Sequence, residues 1–245
     1  MKKIIVMLFA LLPTLVFAAG GSHVHLDQAN NDLTDKASLQ RGAKLFMNYC
    51  FACHSTQYQR YGRIADDLDI SPKLMKENLI FDQNAKIGDL MENAIPDEMA
   101  AKWFGTLPPD LTLVARVRGA DWLYTYLRSF YSDPSRPFGV NNTLFPNVGM
   151  PHALEELQGV PTLTHDKVMV DGVETEVTKI TTDGRGELNQ EEYDQSVRDI
   201  VNFLEYSGDP SQLERNAMGW WVLGFLAIFF ILTVLLKKEY WRDVH

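Results

Sequence analysis

Residues 50–54 read Cys50-Phe51-Ala52-Cys53-His54, and these two cysteines are the only ones in 245 residues. The spacing has a chemical reason. Two thiols three positions apart on a helix-like turn reach the two vinyl groups of one porphyrin together. The next residue then lies beneath the iron, where an imidazole can bind. This is the C-x-x-C-H pattern of covalent c-type haem attachment. The rivals are weaker on chemistry. A structural zinc site needs more ligands, and no third cysteine exists. A redox dithiol of thioredoxin type wants a βαβ setting, which the flanking sequence lacks. A plain disulfide is possible in an exported chain, but it leaves the following histidine unexplained.

Outward from the motif, the pattern is mostly helical. Leu39 to Tyr49 read as a helix with Leu39, Gly42 or Ala43, Leu45 with Phe46, and Tyr49 on one side, and Ser38 as its cap. Residues 19–37 are polar and read as extended. Residues 55–118 read as loops and short helices broken by Pro72, Pro96, Pro108 and Pro109. Asp121 to Tyr131 read as an aromatic-rich helix ended by Asp133-Pro134. Residues 132–163 look irregular and held by prolines. Val168 to Val177 alternate around Asp171-Gly172, which predicts a small β-hairpin. The stretch Asp183 to Asp194 resembles the end of a calcium loop, but its register puts Lys179 and Thr181 where oxygen ligands belong, so a turn before a helix is the reading. That helix runs from about Gln190 to Tyr206, with Tyr193, Val197, Ile200, Val201 and Leu204 on its apolar face. Asp209-Pro210 then opens a last helix.

Both ends of the chain speak of membranes. Lys2 and Lys3 precede an apolar run from Ile4 to Phe17, and Ala18 follows, which reads as a signal peptide over 1–18. Pro13 and the short run disfavour a first transmembrane helix. Ala217 to Leu236 is free of charge and long enough to cross a bilayer. Trp220, Trp221, Tyr240 and Trp241 flank it as an aromatic belt would. Lys237, Lys238 and Arg242 follow, so the positive-inside rule places the 237–245 tail in the cytoplasm and the 19–208 domain outside. The expected organisation is therefore signal (1–18), external haem domain (19–208), a helix (209–236) containing the anchor, and the tail. The whole chain carries a net charge of −9. Without its ends, the body has 18 basic and 30 acidic residues, about −12. Nucleic-acid binding is thereby disfavoured, while steering of a cationic protein partner is allowed.

A low-spin carrier needs a sixth ligand, and a Met sulfur there raises the reduction potential. Met47, Met75, Met91, Met99, Met150 and Met169 are the candidates in the body, and most methionines only fill a core. Met150 stands out in the proline-bounded loop Phe145 to Pro151, and His152 is its main rival. His23, His25 and His165 lie in polar segments and read as exposed.

Several segments, in order, resemble one family: Gly42-Ala43-Lys44-Leu45-Phe46 before the cysteines; HSTQYQRYGRIADDL from His54; AKWFGTLPPDLTLVARVRGADWLYTYLRSFY from Ala101; NNTLFPNVGMP from Asn141; DIVNFLEYSGDP from Asp199; and a C-terminal span. The chain is identified as a member of the cytochrome c1 family, the haem subunits of quinol–cytochrome c oxidoreductase (bc1) complexes, and is closest to the proteobacterial form. The resemblance implies a mainly α, class I cytochrome c-like core with loop insertions, one covalent haem c, and a tail helix. It implies Met150 as axial ligand and Arg118 as partner of a haem propionate, with Arg116 the near rival and surface solvation the plain alternative. Pro108 and Pro109 match the haem-side loop, where a carbonyl could accept the His54 ring N–H. Trp122 matches an aromatic near the haem, although core packing explains it equally.

The implied role is outer-sphere electron transfer from a Rieske iron–sulfur protein to cytochrome c. The chain is then no enzyme alone, and quinol chemistry belongs to a cytochrome b partner. Lipid is its other contact. Acidic residues near the haem edge, with Asp66, Asp67 and Asp69 as candidates, would guide the acceptor. Two alternatives stay open: another anchored c-type cytochrome, such as an oxidase-linked donor, and a haem enzyme or gas sensor with a displaceable ligand.

Overall fold

The computed structural model describes residues 25–170 and 173–242, with the side chains of 168–178 left aside. The expected signal segment (1–18), His23 and the Asp171-Gly172 pair fall outside the described residues.

Two helices organise the domain. Helix α1 spans Lys36–Tyr49 and runs directly into the first cysteine, Cys50, which is its C-cap. Its cap is Asp35, whose carboxylate accepts from the Ser38 N–H at 3.0 Å, and not Ser38 itself. Ser38 is instead buried inside the first turn. Leu39, Gly42, Ala43, Phe46 and Met47 form the buried stripe. Helix α8, Gln190–Gly208, lies across it, opened by a reciprocal capping box between Asn189 and Glu192. Gly42 makes the crossing possible. A methyl group there would overlap the Asp199 backbone carbonyl and crowd Phe203. Beside the glycine, Phe46 and Phe203 meet with ring centroids 5.5 Å apart.

One buried carboxylate fastens the crossing. Asp199 is 2% exposed and accepts from Ser38 Oγ at 2.7 Å, Arg41 Nε at 2.6 Å and Gln195 Nε2 at 2.9 Å. Its charge is paired and its lone pairs are filled, as burial requires. Asn202 adds bonds to the Asp32 carbonyl (2.9 Å) and to Ser38 Oγ (3.1 Å).

The rest of the chain wraps this pair. Short helices follow the cysteine motif: α2 (Tyr61–Asp67), α3 (Pro72–Asn78), α4 (Asp97–Phe104), α5 (Val114–Arg118), α6 (Ala120–Leu127) and α7 (Glu155–Gln158). Helix α6 ends at Leu127, four residues before the expected limit. Residues Phe130–Ser132 leave it as strand β3 and pair antiparallel with β4, Val140–Asn142. The 132–163 region is thus more regular than its prolines suggested. Strands β1 (Thr56–Arg60) and β2 (Leu90–Met91) form a second antiparallel pair. The polar N-terminal stretch is tied down: Ala29 donates to Asp121 at 2.8 Å and accepts from Arg198 at 2.8 Å.

The expected hairpin is present and longer than its sequence signal. Strand β5, Pro161–Val170, pairs with β6, Val173–Thr182, in register from Pro161↔Thr182 to Val170↔Val173. Its two feet touch. Gly159 has φ +84° and sits against Asp183, and Gly186 packs on the backbone of Leu157 to Gly159 so closely that no side chain fits. Asp183 accepts from the Val160 N–H (3.0 Å) and the Arg185 N–H (3.1 Å), so its carboxylate closes the feet.

The apolar residues fall into two clusters. The large one joins α1, α2, α3, α6 and α8. The small one holds Phe130, Val140 and Val148, with Met150 against it, and Tyr126 packs on both. Helix α9, Gln212–Tyr240, begins after Ser211 and runs four residues past Leu236, so Lys237 and Lys238 lie in its last turn. It is long and apolar enough to cross a membrane, and none of its residues is buried.

Candidate functional site

The cysteine motif continues α1 as a turn. The Cys53 and His54 N–H groups both donate to the Cys50 carbonyl, at 3.1 and 2.9 Å. Both thiols are unpaired. Desolvation, and then the neighbouring Cys53, push the Cys50 thiol up to about 12, and burial also raises Cys53. Nothing here stabilises a thiolate. Such surroundings favour the neutral thiols over the thiolate that a reactive dithiol needs. Among the described residues, no group of three or more His, Cys, Asp or Glu is gathered to hold a metal ion.

His54 is fixed by a carbonyl. Its Nδ1 lies 2.8 Å from the Pro109 oxygen. A carbonyl only accepts, so the proton sits on Nδ1 and the lone pair on Nε2. Desolvation lowers the His54 pKa against the Pro109 bond and the nearby Asp110, which raise it, so the neutral ring is favoured. The loop that supplies this carbonyl is stitched to the strand after the motif. The Leu111 N–H donates to the Ser55 carbonyl (2.9 Å), and Asp110 accepts from the Gln57 N–H (2.8 Å). Asp110 also accepts from the Thr112 N–H at 2.9 Å, closing an Asx turn. The sequence reading placed Pro109 but not Asp110. Its signal was an acid two residues before a hydroxyl residue, straight after two prolines.

Met150 is partly buried beside the small cluster, and the Tyr126 hydroxyl donates to its sulfur at 3.5 Å. The competing methionines Met47, Met75 and Met91 are packed in the large core, and Met99 is 38% exposed. His152 faces away from this role. Its Nε2–H donates to Gln158 Oε1 at 2.7 Å, and its ring stacks on Phe130 with centroids 4.9 Å apart. The Met150 loop is stiffened less by its prolines than by asparagines and one arginine. Asn142 Oδ1 accepts from the Leu144 and Phe145 N–H groups, and Asn141 Oδ1 accepts from the Asn147 N–H at 2.8 Å. Arg136 donates to the Asn147 carbonyl at 3.0 Å. Asn147 itself adopts φ +64°.

Arg116 and Arg118 part ways. Arg116 pairs with Asp209 at 3.4 Å. Arg118 is exposed and lies 5.1 Å over the Trp122 ring, with no carboxylate bonded to it among the described residues. Trp122 in turn stacks on Tyr126, at 5.0 Å and 10°. Of the acidic candidates, Asp67 accepts from Arg63 and from the Tyr206 hydroxyl (2.7 Å), and Asp69 pairs with Lys36. His25 and His165 are exposed, as expected.

The comparisons with known proteins bear on this geometry. The model of the Cytochrome C1 family matches residues 28–244. A cytochrome c1 of Allochromatium vinosum is 54% identical, with both chains covered over their full length. The chain belongs to the cytochrome c1 family. A protein of Nitrosomonas europaea named ammonia monooxygenase gamma subunit is 44% identical, over 98% of this chain and 97% of that one. The cytochrome c1 of Blastochloris viridis is 27% identical, over 86% and 82%.

As a cytochrome c1 family member the chain carries one covalently bound c-type haem, and its residues fit that group. Neutral, partly buried thiols suit thioethers, which carry no charge. The His54 tautomer leaves Nε2 able to ligate. Leu107 and Leu113 flank Pro109 and are 46% and 47% exposed, and Phe145 beside Tyr126 is 46% exposed. Open apolar side chains beside each of the two candidate ligands suit a flat, largely apolar group.

Proposed function

We propose that this chain is the electron-carrying subunit of a quinol–cytochrome c oxidoreductase, taking electrons from a Rieske iron–sulfur protein and passing them to a cytochrome c. The observation that carries the reading is His54, held by Pro109 directly after two neutral thiols in a chain of this family. Cys50 and Cys53 would hold the haem through thioethers, His54 Nε2 and Met150 Sδ would ligate it, and Arg118 would pair with a propionate. The bound haem supplies a one-electron couple at its iron. With His54 and Met150 both given to the iron, the protein would leave it no place for a substrate, and the chain would be no enzyme by itself. Its residues then have three tasks: to fix the two ligands, to keep water from them, and to present a surface for partner proteins.

The remaining placement follows from charge and from relatives. Helix α9 would anchor the chain in the cytoplasmic membrane with Lys237 and Lys238 inside, leaving the haem domain in the periplasm and a short cytoplasmic tail. A Bradyrhizobium diazoefficiens relative named cytochrome b/c1, of which this chain covers 34%, supports cytochrome b as a partner. A second reading follows from the Nitrosomonas europaea relative: service to another membrane complex. Purification from native membranes with haem staining separates them. Co-purification of a cytochrome b and a Rieske protein is expected; a haem-stained chain without either would overturn the proposal.

A further inference from the structure

Helix α6 carries a ladder of stacked groups that ends on a sulfur atom. Arg118 lies over Trp122, Trp122 stacks on Tyr126, and the Tyr126 hydroxyl reaches Met150 Sδ at 3.5 Å. The phenol ring cannot swing freely. Phe130 meets it edge-on at 5.3 Å, Phe145 at 6.5 Å, and Asn142 Nδ2 holds the Tyr126 carbonyl at 2.8 Å. The same Asn142 fixes the loop that carries Met150 through the Leu144 and Phe145 N–H groups. Donor and acceptor are therefore set by one shared residue.

A thioether sulfur has two lone pairs. A hydroxyl that donates to one leaves the other for a metal, so the donor decides which way the sulfur presents itself. The donated hydrogen also draws charge from the sulfur. A poorer electron donor favours the reduced state of an iron it ligates, and hydrogen bonding around a ligand is a recognised lever on potential.

We propose that Tyr126 is a positioning residue for Met150, whose hydroxyl orients the axial sulfur and raises the reduction potential. The proposal rests on Met150 being the ligand. It assigns the aromatic ladder a second task beyond packing: Trp122 and Phe130 hold the phenol where its O–H meets the sulfur.

The test uses the full-length protein in its native membranes, as wild type and as Tyr126→Phe, which keeps the ring and loses only the hydroxyl. Haem content, the Met–iron charge-transfer band of the oxidised form, and the reduction potential are read. Tyr126→Phe should retain haem and fold, shift the band, and lower the reduced-to-oxidised ratio at a fixed poise by about three- to tenfold (~59 mV per tenfold for one electron). Trp122→Phe, which keeps the hydroxyl but loosens its stack, should shift the same readings less. An unmoved band with a ratio change under about twofold in Tyr126→Phe would overturn the proposal while leaving Met150 as ligand. A wild-type protein without that band would overturn both.

Discussion

The two candidate axial residues are held by unlike means. His54 adjoins the main core, against which Cys50 packs and in which Phe51 is buried. It follows α1 without a break, its backbone closes on Cys50, and its ring bonds to a carbonyl in a loop stitched to β1. Met150 belongs to an outlying cluster of three buried side chains, and its loop is stapled by Asn141, Asn142 and Arg136. One side inherits rigidity from helix packing. The other has it assembled locally from polar contacts that a single substitution can remove. The histidine side should thus fail together with the whole domain, and the methionine side by itself.

Four substitutions and one change of condition can break or sharpen this contrast. Phe46→Ala removes a fully buried ring at the α1–α8 crossing and should cost about 3–5 kcal/mol, with haem attachment and thermal stability falling together. Phe130→Ala removes an equally buried ring, but its loss should appear first as a weakened Met–iron band with the helical melting transition largely kept. If both variants lost helix and band in one step, the division into two regions would be wrong. Asp199→Ala leaves Ser38, Arg41 and Gln195 without their acceptor and should destabilise globally by about 2–4 kcal/mol, read in chemical denaturation. Asn142→Ala frees two N–H groups in the Met150 loop and should cost about 1–3 kcal/mol, concentrated in faster amide exchange between residues 143 and 150. The smallest effect concerns pH. Bonds from Ser135, then Asn141, hold the Asp133 carboxyl below its ordinary value. Its stabilisation is present above that value and lost as pH falls through the lower folded pKa. Acidification should therefore loosen the β3–β4 turn before α1 and α8, which amide exchange at low pH would show.

The same contrast explains what the sequence disclosed. Cysteines, histidine and the preceding helix are contiguous, so spacing alone exposed them. The crossing of α1 and α8 was half visible: both apolar stripes could be drawn, but nothing local says that Gly42 must meet Asp199, more than a hundred residues away. Met150 could be singled out by its loop, yet the donor on its sulfur could not, since Tyr126 reads as one more aromatic on a hydrophobic helix. Local propensity also overran α6. Ser129 to Tyr131 look helical, but Phe130 gains more by turning into the small cluster as a strand. Arg116 and Arg118 were indistinguishable by type, and only the position of Asp209 in space separates them.

The touching feet of the β5–β6 hairpin give it an unusual status. The chain departs at Gly159 and returns at Gly186 to nearly the same point, and between them strand β5 leans back on the body, alongside β3. Helices α7 and α8 do not need it to find each other. A short linker from residue 159 to 186 should therefore keep α7 beside α8, while the missing β5 would be felt at its neighbour β3 and so at Phe130.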